Sequence, residues 1–471
     1  MRDDLAAPTR TGQVMAAIRD RIASRLLCAG DRLPSIRQSA AAFGVAPATV
    51  VEAYDRLVAE GLIEPRPRSG YFVSNLASAP AGPAAHGPRR DRAIDPFWVS
   101  RESLDAPAAS EKPGCGWLPS DWMPQQALQR ALREVGRNLA GLTDYGPTAG
   151  DPVLRQQIAL RFAAEGLICD PDRILLTGSS TQAVDLLCRL LLRPGDRVLL
   201  DDPCYFNYQA LLAAHQARVV SVPFGPGGPD PERFAAVVAA ERPRLYLTNS
   251  GVHNPTGGRL ALTTAHRLPA IAAAHGMIVV EDDVFADFAP DSPTLAALDG
   301  LHGVIRIGSF SKTLSAGLRC GYIAARPEWL GPLADLQLAT GFGGPSPVAA
   351  AAISRVLAGG QFRRHLEDLR RRLTRARADL THRLAALDIM PWAEPAGGFT
   401  LWCRLPEGLD SAELAQACRR DNVILAPGNV FSPSQSAARY LRFNATQTSD
   451  RALEVLAAAI TRARRSSLSG A

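Results

Sequence analysis

The chain has 471 residues, of which 46% are hydrophobic and 21% charged, with a formal net charge of +6. That length exceeds one compact domain, so two domains and a linker are expected. No apolar run approaches the ~18 residues of a membrane span, and no apolar signal region follows Met1-Arg-Asp-Asp, which argues against membrane insertion and export and for the cytoplasm.

Residues 1–75 read as a small helical domain with a β-like ending. Val14–Leu27 has the pattern of an amphipathic helix. A second helix opens at Pro34 or Ser35 and runs to Phe43; Gly44-Val45 makes a tight turn; a third helix begins at Pro47 and stops at Gly61. Two short helices around a glycine describe a helix-turn-helix. Leu62–Pro65 and Gly70–Val73 then read as a two-stranded wing. Ten arginines oppose eight acids in these residues, a balance of only +2, so charge alone does not establish DNA binding.

Residues 76–113, rich in Ala, Pro, Gly and Arg, read as a flexible linker. From 114 to 471, apolar strand-like runs alternate with helical patterns, which predicts an α/β domain with a mainly parallel sheet. Its large subdomain is expected to end near 330 and a small one to fill the remainder.

Short motifs follow the predicted strands in order. Gly178-Ser-Ser-Thr follows Arg173–Thr177, and Asp201-Asp-Pro-Cys-Tyr205 overlaps the end of Arg197–Leu200. Asn254-Pro-Thr-Gly follows Arg244–Leu247, and Asp282-Asp283 ends the strand Met277–Glu281. Ser309-Phe-Ser-Lys312 follows Val304–Gly308, with Arg319 seven residues after the lysine. Taken singly these have plain readings: a helix N-cap, a packed aromatic, a turn, a pair of surface acids. Lys312 is different. Of 52 basic residues only Lys112 and Lys312 are lysines. A deprotonated amine forms an imine and a guanidinium does not. Lys112 stands in no matching motif.

Two resemblances follow from these residues. Gly30, Arg32-Leu-Pro-Ser, Arg37, Ala40, Gly44-Val45, Thr49-Val50, Ala53-Tyr54, Leu57, Glu60-Gly61 and Ser69-Gly70 resemble the winged helix-turn-helix of the GntR regulators. That implies a double-stranded operator touched by Arg32, Ser35, Arg37, Thr49 and Gly70. Many members carry Ser-Arg where this chain has Ala46-Pro47, so an arginine able to read guanine is missing. The ordered motifs of residues 115–471 resemble fold-type I aminotransferases, which implies pyridoxal 5′-phosphate. In that resemblance Lys312 forms the Schiff base, Asp282 pairs with the pyridinium nitrogen, Asn254 donates to the phenolic oxygen and Tyr205 stacks on the ring. Ser179, Ser180, Ser309, Ser311 and Arg319 hold the phosphate, Tyr145 reaches the partner subunit's phosphate, and Arg442 grips a substrate carboxylate.

Members often place a tyrosine shortly after the cofactor aspartate. Here Asp283, Val284 and Phe285 follow instead, which predicts a more basic phenolate and a raised imine pKa.

The two halves together resemble the MocR subfamily. That implies a head-to-tail homodimer regulated by pyridoxal 5′-phosphate, or by an amino compound that displaces Lys312 through aldimine exchange. The alternative reading is an active aminotransferase with an accessory DNA-binding domain.

Overall fold

The computed structural model describes residues 9–24, 26–67, 69–74, 97–137 and 143–469. The chain forms two compact units, residues 1–91 and 92–471.

In the first unit, helix α1 (Arg10–Ala23) starts earlier than its apolar pattern suggests, because the Thr9 side chain caps it by accepting from the Gly12 N–H. Helix α2 (Ile36–Phe43) begins with a reciprocal capping box between Ser35 and Gln38 and ends at Gly44, whose φ of 62° is left-handed. Helix α3 is Pro47–Ala59. Strands β1 (Ile63–Arg66) and β2 (Gly70–Val73) pair antiparallel, so the wing is present. Val14, Ile18, Val50, Ala53, Tyr54 and Leu57 form the core. Tyr54 keeps its hydroxyl satisfied inside that core by donating to the Pro34 carbonyl at 2.9 Å.

The second unit starts before the expected linker ends. Residues 75–96 lie outside the described residues, but residues 97–113 belong to the fold. Helix α4 (Trp98–Asp105) buries Trp98 and Val99 among Phe206, Leu401 and Phe431. Glu102 clasps Arg419 through two hydrogen bonds of 2.7 and 3.1 Å. Farther on, the Gly114 N–H donates to the Ile424 carbonyl at 2.9 Å. The linker reading therefore ran too long: an Ala- and Pro-rich composition concealed a short helix whose two apolar anchors sit side by side.

The main sheet has β3 (Ile174–Thr177), β4 (Arg197–Asp202), β5 (Arg218–Gly225), β6 (Gly228–Pro229), β7 (Leu245–Thr248), β8 (Ile278–Asp282), β9 (Val304–Ser309) and β10 (Gly321–Ala324). Their spatial order is β3-β10-β9-β8-β7-β4-β5-β6. The central pairings β9-β8-β7-β4-β5 are parallel, while β10 runs antiparallel between β3 and β9. Buried runs such as Ile174–Thr177 and Leu245–Thr248 have no polar face because helices cover both sides.

A smaller antiparallel sheet, β11 (Met390–Pro391), β12 (Thr400–Arg404), β13 (Ala426–Pro427) and β14 (Tyr440–Asn444), has the order β11-β12-β14-β13. The expected subdomain boundary near 330 falls inside the helix Pro327–Gly341. Trp329 and Leu333 of that helix pack with Leu186, Leu187 and Ile323 of the large subdomain, so the small one begins beyond it.

Candidate functional site

The parallel strands deliver their motifs to one edge of the sheet. β3 leads into Ser179, the N-cap of helix Ser180–Leu191, and β4 leads into Tyr205, the N-cap residue of helix Phe206–Ala214. Asn249 and Asn254 follow β7, Asp282 closes β8, and Ser309 closes β9 three residues before Lys312. Carboxyl ends of parallel strands are where α/β sheets leave room for ligands. A single cavity there is lined by Lys312, Asp282, Asn254, Tyr205, Ser179, Ser180, Ser309, Ser311, Arg319 and Arg442. All the expected cofactor and carboxylate residues except Tyr145 therefore meet.

Lys312 donates to the Gly116 carbonyl at 2.6 Å and lies 5.8 Å from the centre of the Phe285 ring. Burial, reinforced by the nearby Arg442 charge, lowers its amine from 10.5 to about 8. Asp282 accepts from the Tyr208 hydroxyl at 2.8 Å and from the Val284 N–H at 3.2 Å. Burial raises its carboxyl to about 6, against the pull of these donors. Arg442 is fully buried. It donates to Asn254 Oδ1 at 3.0 Å and to the Gly114 carbonyl at 2.7 Å, and burial lowers it to about 10, leaving it charged at neutral pH.

The other end of the cavity is rich in hydroxyls. Ser179 Oγ accepts from the Gln182 N–H at 3.0 Å, so its oxygen caps the helix while its proton remains available. Ser309 Oγ accepts from the Ser311 N–H at 3.3 Å. Arg319, with φ of 50°, stands at the same wall. Gly321 is required behind it: an added Cβ would lie 2.7 Å from the Ser179 carbonyl carbon and 2.9 Å from the Ser180 nitrogen, both backbone. Gly321→Ala is expected to push this turn outward and weaken phosphate-bearing ligands by roughly tenfold or more, as losing one or two charge-assisted bonds would. Fluorescence titration with pyridoxal 5′-phosphate against pyridoxal checks this, because the loss should be confined to the phosphorylated form.

Tyr145 stands apart, 81% exposed and packed edge-on against Phe342, with ring centres 4.9 Å apart. In the first unit, Arg32 lies beside the wing, with its Nε 3.7 Å from the position a Cβ on Gly70 would take. Ser35 caps α2, Arg37 is exposed and Thr49 half-buried.

Sequence reasoning missed Tyr208, which holds Asp282, and Asn249, which donates to the Asp282 carbonyl at 2.9 Å. A signal for Tyr208 existed: it follows Tyr205 by one helical turn, which puts the two rings 5.3 Å apart. Val99 and Ser100 of α4 also line the cavity.

Comparison with known proteins accounts for both units. Residues 10–73 match the model for bacterial regulatory proteins of the gntR family, and residues 120–460 match that for aminotransferase class I and II. The chain belongs to the MocR-type GntR regulators. The uncharacterised HTH-type transcriptional regulator YdcR of Escherichia coli is 31% identical over 92% of this chain and 94% of its own. The probable rhizopine catabolism regulatory protein MocR of Rhizobium meliloti is 28% identical over 90% and 88%. The structure of LysN, an α-aminoadipate aminotransferase from Thermus thermophilus complexed with N-(5′-phosphopyridoxyl)-L-leucine, matches 78% of this chain and 95% of its own. Its TM-score is 0.69 and its identity 29%.

Membership in this family implies pyridoxal 5′-phosphate as cofactor, and the cavity of this MocR-type chain fits it. A reactive amine, a buried carboxylate, and a serine-rich helix N-terminus facing an arginine are complementary to an aldehyde, a protonated ring nitrogen and a phosphate. Two buried polar atoms of its wall, Asn249 Oδ1 and Arg442 Nε, have no protein partner.

Proposed function

We propose that this protein is a cytoplasmic, head-to-tail homodimeric transcription regulator. Its N-terminal unit binds a double-stranded operator. Its C-terminal unit takes pyridoxal 5′-phosphate at Lys312 and senses that cofactor, or an amino compound that exchanges with the lysine. The observation that carries the reading is the meeting of Lys312, Asp282, Asn254 and Arg442 in one cavity of a chain that also carries a GntR head.

When bound, the cofactor supplies an aldehyde that amines capture reversibly. Burial prepares Lys312 by bringing its amine to about 8, so that a larger neutral fraction is present near physiological pH than for an ordinary lysine. Asp282, steadied by Tyr208, offers a carboxylate to the ring nitrogen, and Asn254, held by Arg442, turns toward the ring oxygen. Tyr205 stacks on the ring, and Ser179, Ser180, Ser309, Ser311 and Arg319 take the phosphate. Arg442 offers its unused N–H donors to an incoming carboxylate, and Tyr145 reaches the site of the second subunit. Val99 and Ser100 carry contact with a ligand onto α4, the helix nearest the linker in sequence. The Glu102–Arg419 clasp ties α4 to the small subdomain. Among the described residues no helix is long and apolar enough to cross a membrane.

Loading should follow the lysine. Only the neutral amine attacks an aldehyde, and the neutral fraction grows as pH rises through about 8. The incorporation rate is therefore expected to climb between about pH 7 and 8 and flatten above it, whereas an ordinary lysine amine of 10.5 would keep climbing. Stopped-flow absorbance across this range measures it.

A working aminotransferase is the second reading, favoured by the completeness of the same residue set. Steady-state transamination with a keto-acid acceptor separates the two: a regulator completes few turnovers per site, an enzyme many.

A further inference from the structure

The first turn of α3 carries an unusual surface for a helix that reads a groove. Its N-cap is Ala46, with no side-chain cap bond, and Pro47 follows. Ala46, Pro47 and Ala48 are all exposed. Val51, one turn beyond Ala48, is 37% exposed on the same side. The orientation is fixed, because Val50, Ala53, Tyr54 and Leu57 are buried on the opposite face.

Polar readers are nearly absent from this turn. Residues 44–51 contain no charged side chain, and the half-buried Thr49 carries the only hydroxyl. The next outward residues, Glu52 and Asp55, are acids, and Glu52 already pairs with Arg56 and accepts from Thr11. A carboxylate only accepts hydrogen bonds, so it has nothing to offer the N7 and O6 acceptors of guanine. On α3 itself the exposed cation is Arg56, two turns beyond Ala48 and bonded to Glu52; Arg32 against the wing and Arg37 on α2 lie to the sides, where they suit phosphates.

The second helix of a helix-turn-helix presents its N-terminal residues to base edges in the major groove. The apolar feature of that groove is the 5-methyl group of thymine. We infer that Ala46, Pro47, Ala48 and Val51 read thymine methyl groups, so that this protein's half-site is specified under α3 by thymine and not by guanine. The inference rests on the DNA-binding reading of the N-terminal unit.

The test uses the full-length protein loaded with pyridoxal 5′-phosphate. Duplexes are first selected from a random pool. Each invariant thymine of the selected half-site is then replaced by deoxyuridine, which removes only the methyl group. Affinity is expected to fall about fourfold per methyl, the value of one buried carbon at about 0.8 kcal/mol. Ala48→Gly should weaken the thymine duplex by a similar factor and leave the deoxyuridine duplex unchanged. The pair Ala46→Ser and Pro47→Arg should instead gain an invariant guanine in a repeated selection, a gain that misfolding cannot produce. Equal affinity for thymine and deoxyuridine, or an invariant guanine already selected under α3 by the unaltered protein, would overturn the inference alone. Failure to enrich any sequence would overturn the DNA-binding reading and the inference with it.

Discussion

Replacing Lys312 with alanine is expected to abolish the covalent attachment of pyridoxal 5′-phosphate while leaving the fold intact. The amine is the nucleophile of its cavity, and alanine removes it without inserting bulk. The side chain's hydrogen bond goes to the Gly116 carbonyl, so the structural cost is about one hydrogen bond, ~1 kcal/mol. The chain makes the readout simple, because Lys112 is its sole other lysine. After borohydride reduction, peptide mass mapping should find the pyridoxyl group on the peptide bearing Lys312 in the parent protein and on no lysine in the variant. The same adduct surviving in Lys312→Ala would show that the lysine has been misassigned.

Arg442→Ala should discriminate between amines with and without a carboxylate. Arg442 is buried, and it fixes Asn254 as well as lining the cavity. Losing one partner of a buried, hydrogen-bonded charge pair costs about 2–5 kcal/mol. A carboxylated amine such as L-alanine should therefore lose at least roughly 30-fold in affinity, while ethylamine, lacking the carboxylate, changes little. Spectral titration of cofactor-loaded protein with both amines gives the comparison. Arg442→Lys should recover only part of the loss, because an ammonium cannot hold Asn254, Gly114 and a carboxylate in the planar fork of a guanidinium. An equal loss for both amines would mean that Arg442 only supports the wall.

The strands and their motifs were legible because each apolar run is buried on both faces and each motif overlaps its run or follows it within a few residues; the observed strand ends fall within a residue or two of the expected ones for β3, β4, β7, β8 and β9. Other features depend on partners far apart in sequence. Helix α4 is short and surrounded by alanine and proline, and its anchoring to Arg419 crosses more than three hundred positions. Asp283 carried no role of its own in the sequence, where the plain reading of the pair with Asp282 is surface acids. In the fold it is buried and pairs with Arg306, which also meets Glu165. Burial nevertheless pushes its carboxyl up, against the pull of the Arg306 guanidinium. Tyr208 carries no motif of its own, and its role appears only where the end of β8 meets helix Phe206–Ala214. The overlong linker has the same origin: composition describes solvent-exposed chain well and says little about two apolar residues that dock on a distant sheet.

Sensing through Lys312 is tested most directly by a set of DNA-binding isotherms on a duplex selected by the protein itself. They are measured by fluorescence anisotropy for the cofactor-free protein, the protein loaded with pyridoxal 5′-phosphate, and the loaded protein mixed with each common L-amino acid in turn. Loading or at least one amino acid is expected to change the affinity or cooperativity of binding, and Lys312→Ala should no longer show the change. Isotherms that superimpose under every condition, or a change that persists undiminished in the variant, would contradict sensing through Lys312.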